Sequence, residues 1–170
     1  GGMKKHRKSK LAKLDLARQG VGVPGALVLV GLLPVCVSLT QLDLSENQVC
    51  GLTIGMFGGP SGTYDATGIS AIADALRISA SLTSANLGNN ELGPEGIKAL
   101  VGGGAFTGSL TSVSLLDNEF DDEATSMILK VKGEKLSLHT DLLTIWDRRA
   151  SSSRGTDRRL AHGPQTVTLP

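Results

Sequence analysis

A chain of 170 residues, 40 % of them hydrophobic, is long enough for one domain with a real core, yet aromatics make up only 3 %, so that core has to be built from Leu, Val, Ile and Ala. The formal net charge of +1 hides a basic start (seven Lys/Arg and one acid in residues 1–18), a basic end (five Arg and one acid in 148–159) and an acidic body, with five basic and fourteen acidic residues in 19–147. Two cysteines, Cys36 and Cys50, without a CxxC pair, and three scattered histidines, His6, His139 and His162, argue against a disulfide framework and a metal site; a reduced, cytoplasmic setting is the default.

Residues 1–10 form a basic arm. Basic ends can contact nucleic acid or anionic lipid, but no aromatics are interleaved here, so a solvated arm is expected and nucleic acid is not the expected partner. From Leu11 the chain reads "LAKLDLARQGV": a short strand whose leucines share one face, then a turn with Gln19. A helix-like run, "GALVLVGLL", follows from Gly25. At Leu39 the same strand returns as "LTQLDLSENQV", with Asn47 where Gln19 stood. Residues 50–64, "CGLTIGMFGGPSGTY", interrupt this second unit before its helix, "GISAIADAL", opens at Gly68. The third unit begins at Leu82 ("LTSANLGNNEL", Ala85 for the second leucine, Asn90) and continues as "GIKALVGGG" from Gly96. The fourth begins at Leu110 ("LTSVSLLDNEF", Asn118) and continues as "ATSMILKVK" from Ala124. A shortened fifth strand, "KLSLHTD", is expected from about 136, with Asp141 in the asparagine place.

The units start 28, 43 and 28 residues apart, and removal of a 15-residue insertion restores one period throughout. At each turn the backbone leaves the sheet and loses its partners. An Asn amide supplies both a donor and an acceptor there, so Asn47, Asn90 and Asn118 are expected to form a ladder, with Gln19 as a looser first rung. This pattern resembles the leucine-rich repeat family, in particular its ribonuclease-inhibitor-like class, over about residues 11–141. The resemblance implies an α/β solenoid, a short horseshoe with a parallel sheet on the concave face and helices on the convex face. It also implies a non-catalytic module that binds a protein. A GTPase-activating role of the Ran GTPase-activating type is the alternative, as an analogy of fold only. The repeat domain is taken as 11–147, with Trp146 closing its end, and 148–170 as a disordered basic tail.

Two motifs compete with this reading. Gly20-Val-Gly22-Val-Pro-Gly25 matches a dinucleotide-binding fingerprint on paper, after a strand and before a helix. Repeat register already accounts for those elements, however, and Pro24 lacks an N–H that a pyrophosphate needs. Basic residues 4–10 followed by "VGVPGALVLVGLLPVCV" resemble a secretory leader, but "LAKLDLARQ" separates the two parts. In repeat register only Leu27, Gly31 and Pro34 of that run are expected to face solvent. No membrane span, cofactor or small-molecule substrate is called for.

The strand positions between the leucines point to the open face: Lys13 and Asp15, Gln41 and Asp43, Ser84 and Asn86, Ser112 and Ser114. Turn positions add Arg18, Glu46, Asn89, Leu116 and Asp117. The first strand offers basic charge, the second acid, and the others small neutral groups. The insertion is read as a flexible excursion, with Met56, Phe57 and Tyr64 as its contact candidates. Asp121 and Asp122 are placed to cap the fourth helix.

Overall fold

A computed structural model describes residues 11–56, 59–131 and 137–139, the last three as backbone. Strands β1 (Lys13–Asp15), β2 (Gln41–Asp43), β5 (Ser84–Asn86), β6 (Ser112–Ser114) and β7 (Ser137–His139) form one parallel sheet in the order β1-β2-β5-β6-β7. Helices α1 (Gly22–Leu32), α2 (Thr67–Ile78), α3 (Gly93–Gly102) and α4 (Asp122–Val131) alternate with these strands, and a short 3₁₀ turn, Leu33–Val35, continues α1. Each strand is only three residues long, so its stability comes from stacking: Lys13 pairs with Gln41, Gln41 with Ser84 and Ser84 with Ser112.

The core lies between sheet and helices. Leu39, Leu42 and Leu44 are buried beside Leu82, Ala85 and Leu87 and then Leu110, Val113 and Leu115, against Ile69, Ile72, Leu76, Ile97, Leu100 and Ile128 from the helices. Close approach of helix to turn explains one of the recurring glycines. A Cβ on Gly68 would stand 2.2 Å from the Val49 carbonyl oxygen, closer than any side chain tolerates. Ala124 fills the matching position of the fourth unit without difficulty. Asp121 caps α4, its Oδ1 accepting the Ala124 N–H at 2.8 Å, and Lys130 sits in the last turn where it complements the helix dipole. Asp122 is the first residue of the helix itself.

Several sequence expectations change. The insertion is not a shapeless excursion: Thr53–Ile54 (β3) and Pro60–Ser61 (β4) pair antiparallel as a small hairpin. Tyr64 anchors its base, half-buried and donating its hydroxyl to the Leu92 carbonyl at 3.0 Å, so it is a structural residue rather than a contact candidate. Met56 is fully exposed, and Phe57 lies outside the described residues. Along α1, Val28 and Leu32 are as exposed as Leu27, Val35 and Val37 beyond it are exposed too, and Pro34 is half-buried. A helix made only of apolar residues carries no polar face to mark its solvent side, which is why repeat register alone misassigned it. At the far end Leu138 pairs with Val113, two residues off the register that would give Asp141 the ladder place. A shift of two keeps every side chain on its face, so the leucine pattern cannot distinguish the two registers. Asp141, Trp146, the basic arm and the tail lie outside the described residues.

Candidate protein-binding face

The turn that leaves each strand determines what the open face displays. Ladder asparagines Asn47, Asn90 and Asn118 are buried, and each is flanked by residues in the left-handed region: Glu46 and Gln48, Asn89 and Glu91, Asp117 and Glu119. Such a conformation costs a non-glycine residue roughly 1 kcal/mol, and it persists because hydrogen bonds fix the turn. Asn90 Oδ1 accepts from the Asn47 N–H at 3.0 Å and the Val49 N–H at 3.4 Å, while its Nδ2 donates to the Leu44 carbonyl at 2.9 Å. Asn118 does the same for the Asn90 N–H, the Leu92 N–H and the Leu87 carbonyl. Asn47 serves the Gln19 N–H, the Val21 N–H and the Leu16 carbonyl of the first unit. Gln19 stands outside this ladder. Its side chain is exposed and donates to the Ala17 carbonyl, with no earlier strand beside it among the described residues.

A second rail escaped the sequence reading. Thr40, Thr83 and Thr111 donate their hydroxyls to the carbonyls of Ala12, Thr40 and Thr83, at 3.0, 3.2 and 3.1 Å. Its signal was in plain sight, as the dipeptide Leu-Thr that opens the second, third and fourth units.

The open face carries two rows. Lys13, Gln41, Ser84 and Ser112 lie side by side, and so do Asp15, Asp43, Asn86 and Ser114. Charge on the first strand is largely self-neutralised, contrary to the sequence expectation of a basic strand. Lys13 Nζ lies 3.0 Å from Asp15 Oδ2, and Arg18 reaches Glu46 at 2.6 Å. The hydrogen bond from Lys13 holds the Asp15 carboxyl below its ordinary value. For Asp43, burial pushes upward, but hydrogen bonds from the Ser45 hydroxyl and N–H and from the Asn86 amide outweigh it and hold the carboxyl low. Ser84, Asn86, Ser112 and Ser114 are half-buried, small and neutral. Leu116 is half-buried as well, and its carbonyl accepts the Asn89 N–H at 2.8 Å.

Above these rows the turns face the inserted hairpin across a groove of about 420 Å³. Arg18, Glu46, Gln48, Asn89 and Glu91 form one wall, and Leu52 and Thr53 of the hairpin form the other. Burial, with help from Glu119, pushes the Glu91 carboxyl above its ordinary value. The nearby thiol of Cys50 is fully buried and pushed up to about 11 by that burial, far from a reactive thiolate. Sequence reasoning named Arg18, Glu46 and Asn89 but not Gln48, Glu91, Leu52 or Thr53, which join them only because the hairpin folds back.

In the fingerprint stretch Gly20–Gly25 three backbone N–H groups are already engaged within the fold. Asn47 takes the Val21 N–H on its side chain and the Gly22 N–H on its carbonyl, and the Gly25 N–H bonds the Val21 carbonyl. Among the described residues no group of three or more His, Cys, Asp or Glu could hold a metal ion, and no helix is long and apolar enough to cross a membrane.

Residues 79–101 match the family model described as Leucine Rich repeat. That stretch runs from just after α2 through β5 and the ladder residue Asn90 into α3, most of one strand–turn–helix unit. Among curated proteins none matches the chain. Repeats of this kind generally mediate protein–protein interaction.

Proposed function

We propose that this protein is a non-catalytic binding module of the ribonuclease-inhibitor-like kind, with 28-residue repeats curved into a short horseshoe whose concave sheet face receives a segment of a partner protein. The observation that carries this reading is a strip of small, polar, half-buried side chains, Ser84, Asn86, Ser112 and Ser114, on adjacent strands of a sheet whose first three turns line the groove. Small side chains leave room for a partner's larger ones; with Glu46 already paired to Arg18, the carboxylate of Glu91 and the amides of Gln48 and Asn89 favour a partner that brings hydrogen-bond donors. A face without large apolar anchors gives modest affinity. Two free thiols suit a cytoplasmic setting.

The test is capture from cell extract by the intact chain and by three variants whose folding is checked by circular dichroism. Ser84→Arg with Ser112→Arg fills the strip. Deletion of 52–61 joins Gly51 to Gly62, which already touch. Asp74→Arg alters the exposed side of α2 as a control. Loss of a captured protein with the first or second variant, but not the third, supports the reading. Equal capture by all of them removes the face as the site.

A further inference from the structure

The first unit ends in an apolar surface that the other units do not have. Leu11 is 53 % exposed, whereas its equivalents Leu39, Leu82 and Leu110 are 1, 0 and 5 % exposed. On α1, Val28 and Leu32 are 61 and 50 % exposed, whereas Ala71 and Ala75, in the same places on α2, are 8 and 0 % exposed. These positions face the preceding unit in the stack. Gly68 of α2 lies against Val23, and a Cβ on Gly103 of the third unit would meet Ala73 at 2.8 Å. Leu11, Val28 and Leu32, with half-buried Leu14 and Leu16, therefore present to solvent the side that every later unit packs on its predecessor. The ten residues before Leu11 have only Met3 as a sizeable apolar side chain against five Lys and Arg, a poor cover for such a surface.

Beside this surface runs the open edge of β1. Ala12, Leu14 and Leu16 direct their backbone groups to β2: the Ala12 carbonyl accepts from Gln41, and the Leu16 N–H donates to Asp43. By alternation the N–H and C=O groups of Lys13 and Asp15 point outward, the arrangement that accepts another strand.

We infer that this end is an interface for a second copy of the same chain, joined by antiparallel pairing of the two β1 edges about a two-fold axis through Leu14. The register follows from the residues. With Leu14 opposite Leu14, Lys13 stands opposite Asp15 of the second copy, and Asp15 opposite its Lys13. Those are the residues whose backbone groups point outward, so they form the hydrogen-bonded pairs, while the leucines form the close, non-hydrogen-bonded pair. On the open face each Lys13 meets a carboxylate and each Asp15 an ammonium, so the edge is complementary to itself in both hydrogen bonding and charge. On the other side α1 packs against α1, covering Val28 and Leu32. The two open faces then lie on one continuous ten-stranded sheet. This pairing is independent of what the faces bind.

Sedimentation equilibrium of the full chain over about 1–100 μM tests it, with the expected species at twice the 17.6 kDa of one chain. Lys13→Asp places acid opposite acid and Asp15→Lys places base opposite base, so each alone is expected to weaken dimerisation by tenfold or more. Mixed together, the two single variants regain complementarity and are expected to form a heterodimer, and the double swap Lys13→Asp with Asp15→Lys a homodimer. Circular dichroism confirms that each variant is folded. Val28→Glu, at a site already exposed to solvent, is expected to weaken the dimer without unfolding the chain. A monomer throughout the range overturns the inference and leaves the end to a different protein. A dimer indifferent to all these substitutions also overturns it, since the contact is then elsewhere.

Discussion

Asn90→Ala removes the middle rung of the asparagine ladder. Its loss leaves three buried backbone groups without that partner: the N–H groups of Asn47 and Val49 and the carbonyl of Leu44. Two other acceptors of its amide keep partners, since the Leu87 carbonyl still receives Asn118 Nδ2 and the Gly88 carbonyl still receives the Glu46 N–H. An unsatisfied buried group costs about 1–3 kcal/mol, so three give roughly 3–9 kcal/mol before relaxation, and a water in the vacated amide space lowers this to about 3–5 kcal/mol. Asn47→Ala deletes the same atoms, but the groups it strands (the N–H of Gln19, the N–H of Val21 and the Leu16 carbonyl) are only part-buried at the open end of the stack. Water reaches them, and a loss of about 1–2 kcal/mol is expected. Urea unfolding followed by circular dichroism measures both. A cost under about 1 kcal/mol for Asn90→Ala, or equal losses for the two variants, would refute this account, because their difference rests wholly on the burial of what remains.

Two glycines give a matched pair. Gly68→Ala forces a Cβ to within 2.2 Å of the Val49 carbonyl and is expected to cost about 1–3 kcal/mol despite better helix propensity, whereas Gly31→Ala, with nothing within 4 Å, is expected to gain about 0.5–1 kcal/mol; both shift the urea midpoint. Glu91 has a raised carboxyl value, so its ionised form opposes folding, and that penalty is present above the raised value and lifts as pH falls through it. Glu91→Gln is therefore expected to be slightly more stable than the parent at pH 7, with the advantage gone at pH 4 in parallel urea titrations. Cys50 is expected to resist iodoacetamide at pH 8 in the folded chain and to react after unfolding, as read by mass spectrometry of its peptide; rapid labelling of the native protein would contradict its burial.

Where a residue's role is fixed by its own unit, the sequence displayed it. Leu42, Leu44 and Asn47 recur at fixed offsets because each copy must solve the same local problem of burying one strand face and closing one turn, and this made the parallel sheet, the alternating helices and the ladder legible. What stayed hidden depends on relations between units or on departures from the repeat. Nothing in "SGTY" shows that Tyr64 reaches the Leu92 carbonyl, because that carbonyl belongs to the next unit. The groove was invisible for the same reason, since Leu52 and Thr53 meet Gln48 and Glu91 only once a hairpin closes. The left-handed backbone of Glu46, Asn89 and Asp117 was hidden too, as none of them is glycine, although it aims the very turn positions named for the face. The first unit shows the limit most clearly. Leu11, Val28 and Leu32 satisfy the pattern as well as their buried counterparts do, because a repeat motif records what a residue packs against when a neighbour is present. It does not record whether the neighbour exists. Periodicity thus over-assigns burial at the ends of a stack, and an apolar residue in register yet exposed marks a place where the repeat's own packing surface is available to another molecule.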